Sequence, residues 1–364
     1  MRRRRGKINR WVIFVLALGA ILFYFLESRT VRIVPSRLYS TKLDAARLSA
    51  RAFELVRNYR LNELHLPIDS INDPNLTGLV GVQFSQITYG WSDLSDALTS
   101  TNPNMSAALV EMFFKTKVKK GDTVAINWDG TYPALNIQVL AVVKTLGLTP
   151  VIVTDQSSRM WGANCPGWTW LEIERVLREG GVWDFKSVLA TRGGETDDGR
   201  GFSPEGRAIL DRVARTTGVS LLVPASLSEG VVKRAEFFRR CRLLVAVGKA
   251  SSNSGDPAGH LPSGVFTERY HRKGGNGMVA VFLSYRLPVI HIASPRKVAS
   301  TYRLPIAPVP MGEIGKGRLF YERRYSVPGA IFFALVLIGL LFLVVRYEVE
   351  YYFGVKSGED GEAV

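Results

Sequence analysis

The chain has 364 residues, 46% of them hydrophobic, and a formal net charge of +15. That length and apolar content exclude a disordered or fibrous chain and leave room for a large core. Two cysteines exclude a disulfide-dense scaffold, and Cys165 and Cys241 read equally as one pair or as two free thiols.

Residues 1–10 carry six Lys/Arg and no acid, and residues 11–26 follow as an uncharged apolar run. A second uncharged run covers 329–345, between Arg323/Arg324 and Arg346. Each is long enough, with flanking aromatic and basic residues, to span a bilayer. The bulky, charged Phe23-Tyr-Phe-Leu-Glu-Ser-Arg29 offers no small-residue cleavage site, so the first run reads as an uncleaved anchor rather than a signal peptide. The N-terminal basic cluster predicts a two-pass protein of the cytoplasmic (inner) membrane. Residues 1–10 and the tail 347–364 are then cytoplasmic, 11–28 and 327–346 are transmembrane helices, and 29–326 form the extracytoplasmic domain. Lys316, Arg318, Arg323 and Arg324 oppose this orientation, and if they prevailed the domain would be cytoplasmic.

Residues 27–47 read as a stalk with Pro35. An amphipathic helix is expected over 41–61, a turn-rich loop over 66–78 and a strand over 79–88. The run 99–104 is rich in capping residues and leads into a helix at 105–116. Asp122-Thr-Val-Ala-Ile-Asn-Trp128 then reads as a buried strand, and Gly130 as a turn. Pro133 suits the first turn of a helix whose amphipathic run ends at Gly147, a C-cap glycine. A strand follows to Asp155. Further helices are predicted near 170–178, 204–216, 229–240 and 277–286, with strands at 220–223, 243–247 and 287–292. The Gly- and Asp-rich stretch 192–206 and the loop 248–256 read as mobile. This alternation predicts an α/β fold: a parallel-sheet, Rossmann-like extracytoplasmic domain flanked by two transmembrane helices.

Ligands of open parallel sheets bind beyond the carboxyl ends of the strands. Three loops qualify: 128–136, 155–164 and 248–256. They supply a speculative catalytic set of Thr131, Ser251, Asp129 and Asp256. Gly130, Tyr132, Asn136, Ser157, Ser158, Trp161, Asn164, Lys249 and Asn253 are the candidate ligand-binding residues. Thr131 reads as a nucleophile or as the helix N-cap. The Trp161/Trp168/Trp170 group reads as loop packing more readily than as a stacking platform, and His291, inside an apolar strand, as a core residue. His260 and His271 have no metal spacing, and Asp69/Asp73 fit a Pro/Asn turn as well as a cation site. The glycines match neither a dinucleotide fingerprint nor a Walker loop, so no cofactor and no metal are expected. No nucleic-acid motif accompanies the basic charge. Residues 27–327 hold 39 Lys/Arg against 27 Asp/Glu, which suits an anionic polymer or membrane lipids.

Five stretches together resemble the poly-gamma-glutamate system protein family. They are Asp73-Pro-Asn-Leu-Thr-Gly-Leu-Val-Gly81, Ser100-Thr-Asn-Pro-Asn104, Gly130-Thr-Tyr-Pro-Ala-Leu-Asn136, Met160-Trp-Gly-Ala-Asn164 with Thr169-Trp-Leu-Glu172, and Leu287-Pro-Val-Ile-His291. The likeness runs in order from about residue 40 to about 315. It departs at Thr131, where the family pattern has Ser, and at Lys249-Ala250-Ser251, where it has Gly-Gly-Ser. The resemblance implies an accessory membrane protein of poly-γ-glutamate (capsule polymer) biosynthesis or export. Its implied partners are the synthase and export membrane proteins and the anionic polymer. The resemblance supplies a pathway and not a reaction: polymer binding or scaffolding on one side, trimming or anchoring by a Thr/Ser nucleophile on the other.

Overall fold

The computed structural model describes residues 10–255, 261–267 and 275–347, which fall into two compact units. Ser36–Phe320 form one, and the flanking segments to Pro35 and from Tyr321 form the other.

The larger unit is built on a seven-stranded sheet. Thr123–Trp128 is its central strand, pairing in parallel with Thr149–Asp155 on one side and Leu244–Val247 on the other. Ser187–Thr191 and Leu221–Leu222 extend the first side, and Val289–Ile292 extends the second. All of these run parallel, as the alternating pattern predicts. The exception is Gly264–Phe266, an antiparallel edge strand beside Val289–Ile292.

Helix Pro133–Leu146 follows the central strand. Pro133 opens it where no N–H partner is needed, and Gly147 closes it at φ +64°. The sequence suggests one apolar face, but every residue from Pro133 to Val143 is buried, because helices Tyr39–Asn62 and Met105–Lys115 both pack on it. A helix buried this completely draws its stability from packing rather than propensity. Trp128 and Trp170 meet edge-to-face beneath it, with centroids 5.1 Å apart. Such a pair adds about 1 kcal/mol beyond its buried area.

Several elements depart from expectation. Residues 79–88 form no strand. Asn164 takes the place of a partner chain there: its Oδ1 accepts from Val82 N at 3.0 Å and its Nδ2 donates to Val82 O at 2.7 Å. One amide side chain thus satisfies both backbone groups of a residue that ladder pairing would otherwise serve. The 192–206 stretch is pinned rather than mobile, because Asp197 in its middle is 1% exposed and ion-paired to Arg234. The expected loop at 248–256 contains a helical turn, Ser251–Ser254. The stalk region holds strand Arg32–Pro35 and the start of the Tyr39–Asn62 helix. His291 is buried, with Nδ1 at 3.0 Å from Pro262 O, and both cysteines are free.

In the smaller unit, helices Arg10–Ser28 and Val327–Arg346 are long and apolar enough to cross a membrane. Phe23 and Phe333 stack between them at 5.0 Å. Beyond the helices, Arg32–Pro35 pairs antiparallel with Tyr321–Arg324 as a two-stranded ribbon.

Candidate functional site

From the central strand the chain steps outward to one edge of the sheet, then returns to the other side of its starting strand at Leu244. The switch point therefore lies between Trp128 and Val247, which are register partners. Open parallel sheets bind ligands at such a point, beyond the carboxyl ends of the strands.

Asp129 and Gly248 are the first residues beyond that point. Asp129 is 3% exposed. Its Oδ1 accepts from Thr131 N and its Oδ2 from Lys249 N, both at 2.8 Å. The carboxylate thus ties together the two loops that leave the switch point. Burial pushes its pKa up, against the opposing pull of those two bonds and of the Arg159 charge. Gly248 adopts φ +88°, and a Cβ there would lie 2.0 Å from Asp129 Oδ1. Only glycine permits both the backbone angle and the approach.

The 155–164 loop folds against this corner. Gly130 N donates to Ser157 O at 2.9 Å, and Ser158 Oγ donates to Gly130 O at 3.0 Å. Arg159 N donates to Thr131 Oγ1 at 3.3 Å. Thr131 is fully buried and is not the N-cap of the following helix. Tyr132 holds that position, without a side-chain cap. Burial and nearby Asp96 drive the Tyr132 phenol far above its ordinary range, and its hydroxyl donates to Ala293 O at 3.3 Å. Asn136 donates to Asp129 O at 2.9 Å, while its buried Oδ1 has no partner.

Two cations project over this corner. The Arg159 guanidinium lies 5.5 Å from the Tyr89 ring centroid, and Lys249 Nζ lies 6.0 Å from that of Trp91. Neither makes an ion pair among the described residues. Arg159 reaches only the carbonyls of Trp91 and Lys249, both at 3.5 Å, the outer limit of hydrogen bonding. Burial and the Arg159 charge lower the Lys249 pKa. Nearby carboxylates are already occupied: Asp96 accepts from Ser294 Oγ and Arg296 N, and Asp93 pairs with Arg296 at 2.7 Å.

A buried polar network braces the loops from below. Arg234 is fully buried and grips Asp197 with both terminal nitrogens, bonds Thr191 Oγ1 at 2.9 Å, and bonds Asn127 Oδ1 at 2.9 Å. Asn127 in turn donates to Ser252 Oγ and to Asn253 Oδ1, at 3.0 and 2.7 Å. Asp155 accepts from Ser157 N and Oγ, and burial beside Asp197 and Asp129 raises its pKa well above the ordinary value.

The structure thus brings Asp129, Gly130, Thr131, Ser157, Ser158 and Lys249 to one corner. Tyr132 and Asn136 support it from the helix, and Asn253 from below. Trp161 and Asn164 hold the 81–88 segment instead, Trp161 through backbone pairing with Gly81 and Val82. Ser251 begins the helical turn and is 6% exposed. Asp256, His260 and His271 lie outside the described residues. The sequence reading missed Arg159, Trp91, Tyr89 and the Arg234 network. Asn127, a polar residue inside an apolar strand, was the signal for that network, as was Arg234, on the same helix stripe as Gly230 and Phe238. No group of three His, Cys, Asp or Glu side chains fit to hold a metal occurs among the described residues.

No protein-family model and no curated protein matches this chain.

Proposed function

We propose that this chain is a membrane-anchored accessory protein of poly-γ-glutamate biosynthesis or export. Its α/β unit binds the anionic polymer at the switch point, outside the cytoplasmic membrane and beside the synthase and export proteins. The observation that carries the reading is the pair of half-buried cations, Arg159 and Lys249, set over a loop corner with no carboxylate partner of their own. A partly desolvated guanidinium and ammonium attract carboxylates more strongly than solvated surface charges do. The adjoining Trp91 and Tyr89 rings give a polymer backbone apolar surface to lie on. The five-motif resemblance supports the pathway, and the two apolar helices support the anchoring.

The test is binding of the full chain, in detergent, to poly-γ-glutamate across a salt series. Binding should weaken with salt. Arg159→Gln and Lys249→Gln should each weaken it about tenfold, since a charge-assisted hydrogen bond contributes roughly 1.5–3 kcal/mol. No binding at low salt, or two variants that bind like the parent, overturns the reading.

A second reading, hydrolytic trimming or transfer of the polymer, is favoured by one observation: the buried Asp129 carboxyl, its pKa raised by that burial, is held against Thr131 by the Thr131 N–H at 2.8 Å, two residues along the chain from it. A carboxylate of raised pKa beside a hydroxyl is the arrangement of a general base and nucleophile. It predicts shortening of the polymer by the parent chain and none by Thr131→Ala. Shortening that survives this change removes Thr131 from the mechanism.

A further inference from the structure

The ribbon of the smaller unit holds a charge arrangement that the polymer site does not use. Its register sets Arg32 directly opposite Arg324, on the rung nearest the two apolar helices. Opposed residues of an antiparallel pair sit about 5 Å apart, and like charges there repel. Arg324 is answered by Glu322, at 2.5–2.7 Å on the same strand. Arg32, Arg323 and Arg29 are exposed and have no carboxylate partner among the described residues. Arg29 instead lies over the Phe25 ring, at 4.9 Å. Arg32 and Arg323 in the ribbon, and Arg29 three residues before it, are therefore guanidinium groups without a carboxylate partner.

Their position points to the kind of anion that suits them. Arg29 follows directly on the helix that ends at Ser28, and Arg324 stands just before the one that begins at Val327. Tyr325, 61% exposed, lies between ribbon and helix, at the depth where tyrosine favours a bilayer interface. The headgroup layer is about 5–7 Å deep on each side of the hydrocarbon, roughly two strand residues. The Arg32–Arg324 rung lies three to four residues from the helix ends, and the long arginine side chains span the remaining distance to that layer. Guanidinium groups match phosphate oxygens bidentately, and an anionic lipid phosphate between the strands would turn the repulsive rung into a bridged one.

We infer that the ribbon is a binding site for the headgroup phosphate of an anionic phospholipid, held by the Arg32–Arg324 rung with Arg29 beside it, while Arg323, opposite Ile33, lies on the other face. This rests on the membrane-anchored part of the function proposed above and is independent of the polymer site. It also gives a use to the basic residues before the second apolar helix, which run against the charge rule for orientation.

The probe is phosphatidylglycerol, titrated into the full chain in phosphatidylcholine nanodiscs and read by native mass spectrometry. At about 1 kcal/mol per basic residue near an anionic surface, the double variant Arg29→Gln/Arg32→Gln should lose roughly thirtyfold in affinity. Arg29→Lys/Arg32→Lys keeps the charge and should recover most of the loss. Glu322→Gln releases Arg324 and should tighten binding several-fold, a gain that mere damage to the ribbon does not produce. If the chain stays with membranes under carbonate extraction yet binds phosphatidylglycerol equally in parent and Gln variants, the lipid site is wrong and the anchoring stands. If carbonate strips the chain from membranes, the anchoring falls and the lipid site with it.

Discussion

Removing the Arg234 side chain is the most direct test of how the site is held. Arg234 is fully buried, and its guanidinium bonds four partners: Asp197, Thr191, Asn127 and the Gly230 carbonyl. Arg234→Ala leaves the Asp197 carboxylate buried without a counter-charge. Breaking a buried pair from one side costs about 3–5 kcal/mol. For a unit of this size each kcal/mol moves the unfolding midpoint by roughly 2–4 °C, so a fall of about 10 °C is expected. Asp197→Ala alone should cost a similar amount. The double variant should cost clearly less than the sum, because neither charge is then left alone. Urea unfolding of the detergent-solubilised chain, followed by tryptophan fluorescence, gives all three values at constant m. Polymer affinity should drop as well, since Asn127 loses the bond that orients it toward Ser252 and Asn253. A loss under 1 kcal/mol for Arg234→Ala, or strict additivity in the cycle, would refute the view that this ion pair braces the loops.

Three further outcomes follow from buried groups. The Glu174 carboxyl accepts from Ser187 N and Oγ at 2.9 and 2.8 Å, yet burial pushes its pKa up to about 7. The folded state then holds the proton more tightly than the unfolded chain, so this stability is present at low pH and lost as pH rises from about 4.5 to 7. Glu174→Gln should flatten that fall, by up to about 3 kcal/mol in chemical unfolding across the range. Gly248→Ala sets a Cβ 2.0 Å from Asp129 Oδ1 at φ +88°. It should abolish polymer binding and destabilise by roughly 1–3 kcal/mol through strain and displacement of the carboxylate, and unchanged calorimetric binding contradicts the switch-point site. Asn164→Ala strips Val82 N of its partner, leaves Val82 O to Trp161 N alone, and should cost about 1–3 kcal/mol, with faster amide exchange confined to 81–88. Exchange rising equally across the sheet excludes the local account.

The strand–turn–helix core was legible because its signals are local. The apolar run 123–128, Pro133 at the helix start and Gly147 past its end each act within a few residues. The parallel order of the main strands followed from their alternation with helices. Other features depend on distant partners. Residues 79–88 carry the composition of a strand, but the groups that pair with them are the side chain of Asn164 and the backbone of Trp161. Thr131 has the type and spacing of an N-cap, but the backbone turns one residue later and leaves its hydroxyl to Arg159 N. The 192–206 stretch reads as loose because nothing in it reveals that Arg234 is waiting for Asp197. Arg159 was visible only as one polar residue in a loop. Its significance lies in Lys249 coming beside it from another strand end. The ribbon joins two four-residue segments from nearly opposite ends of the chain, and no local pattern links them.

The α/β unit begins and ends in one place. Ser36 N donates to Phe320 O at 2.9 Å, and the buried Lys42 ammonium donates to Leu319 O at 2.7 Å. The last residues of the unit are therefore structural partners of its first. Lys42, already ion-paired to Glu111 at 2.6 Å, gains its carbonyl partner only after the whole sheet has been synthesised. During synthesis the unit cannot complete its fold until Phe320 is available, and the second apolar helix comes next. Meeting ends also make the unit a cassette: it can be moved, as one piece, into a tight turn of another protein without stretching its host.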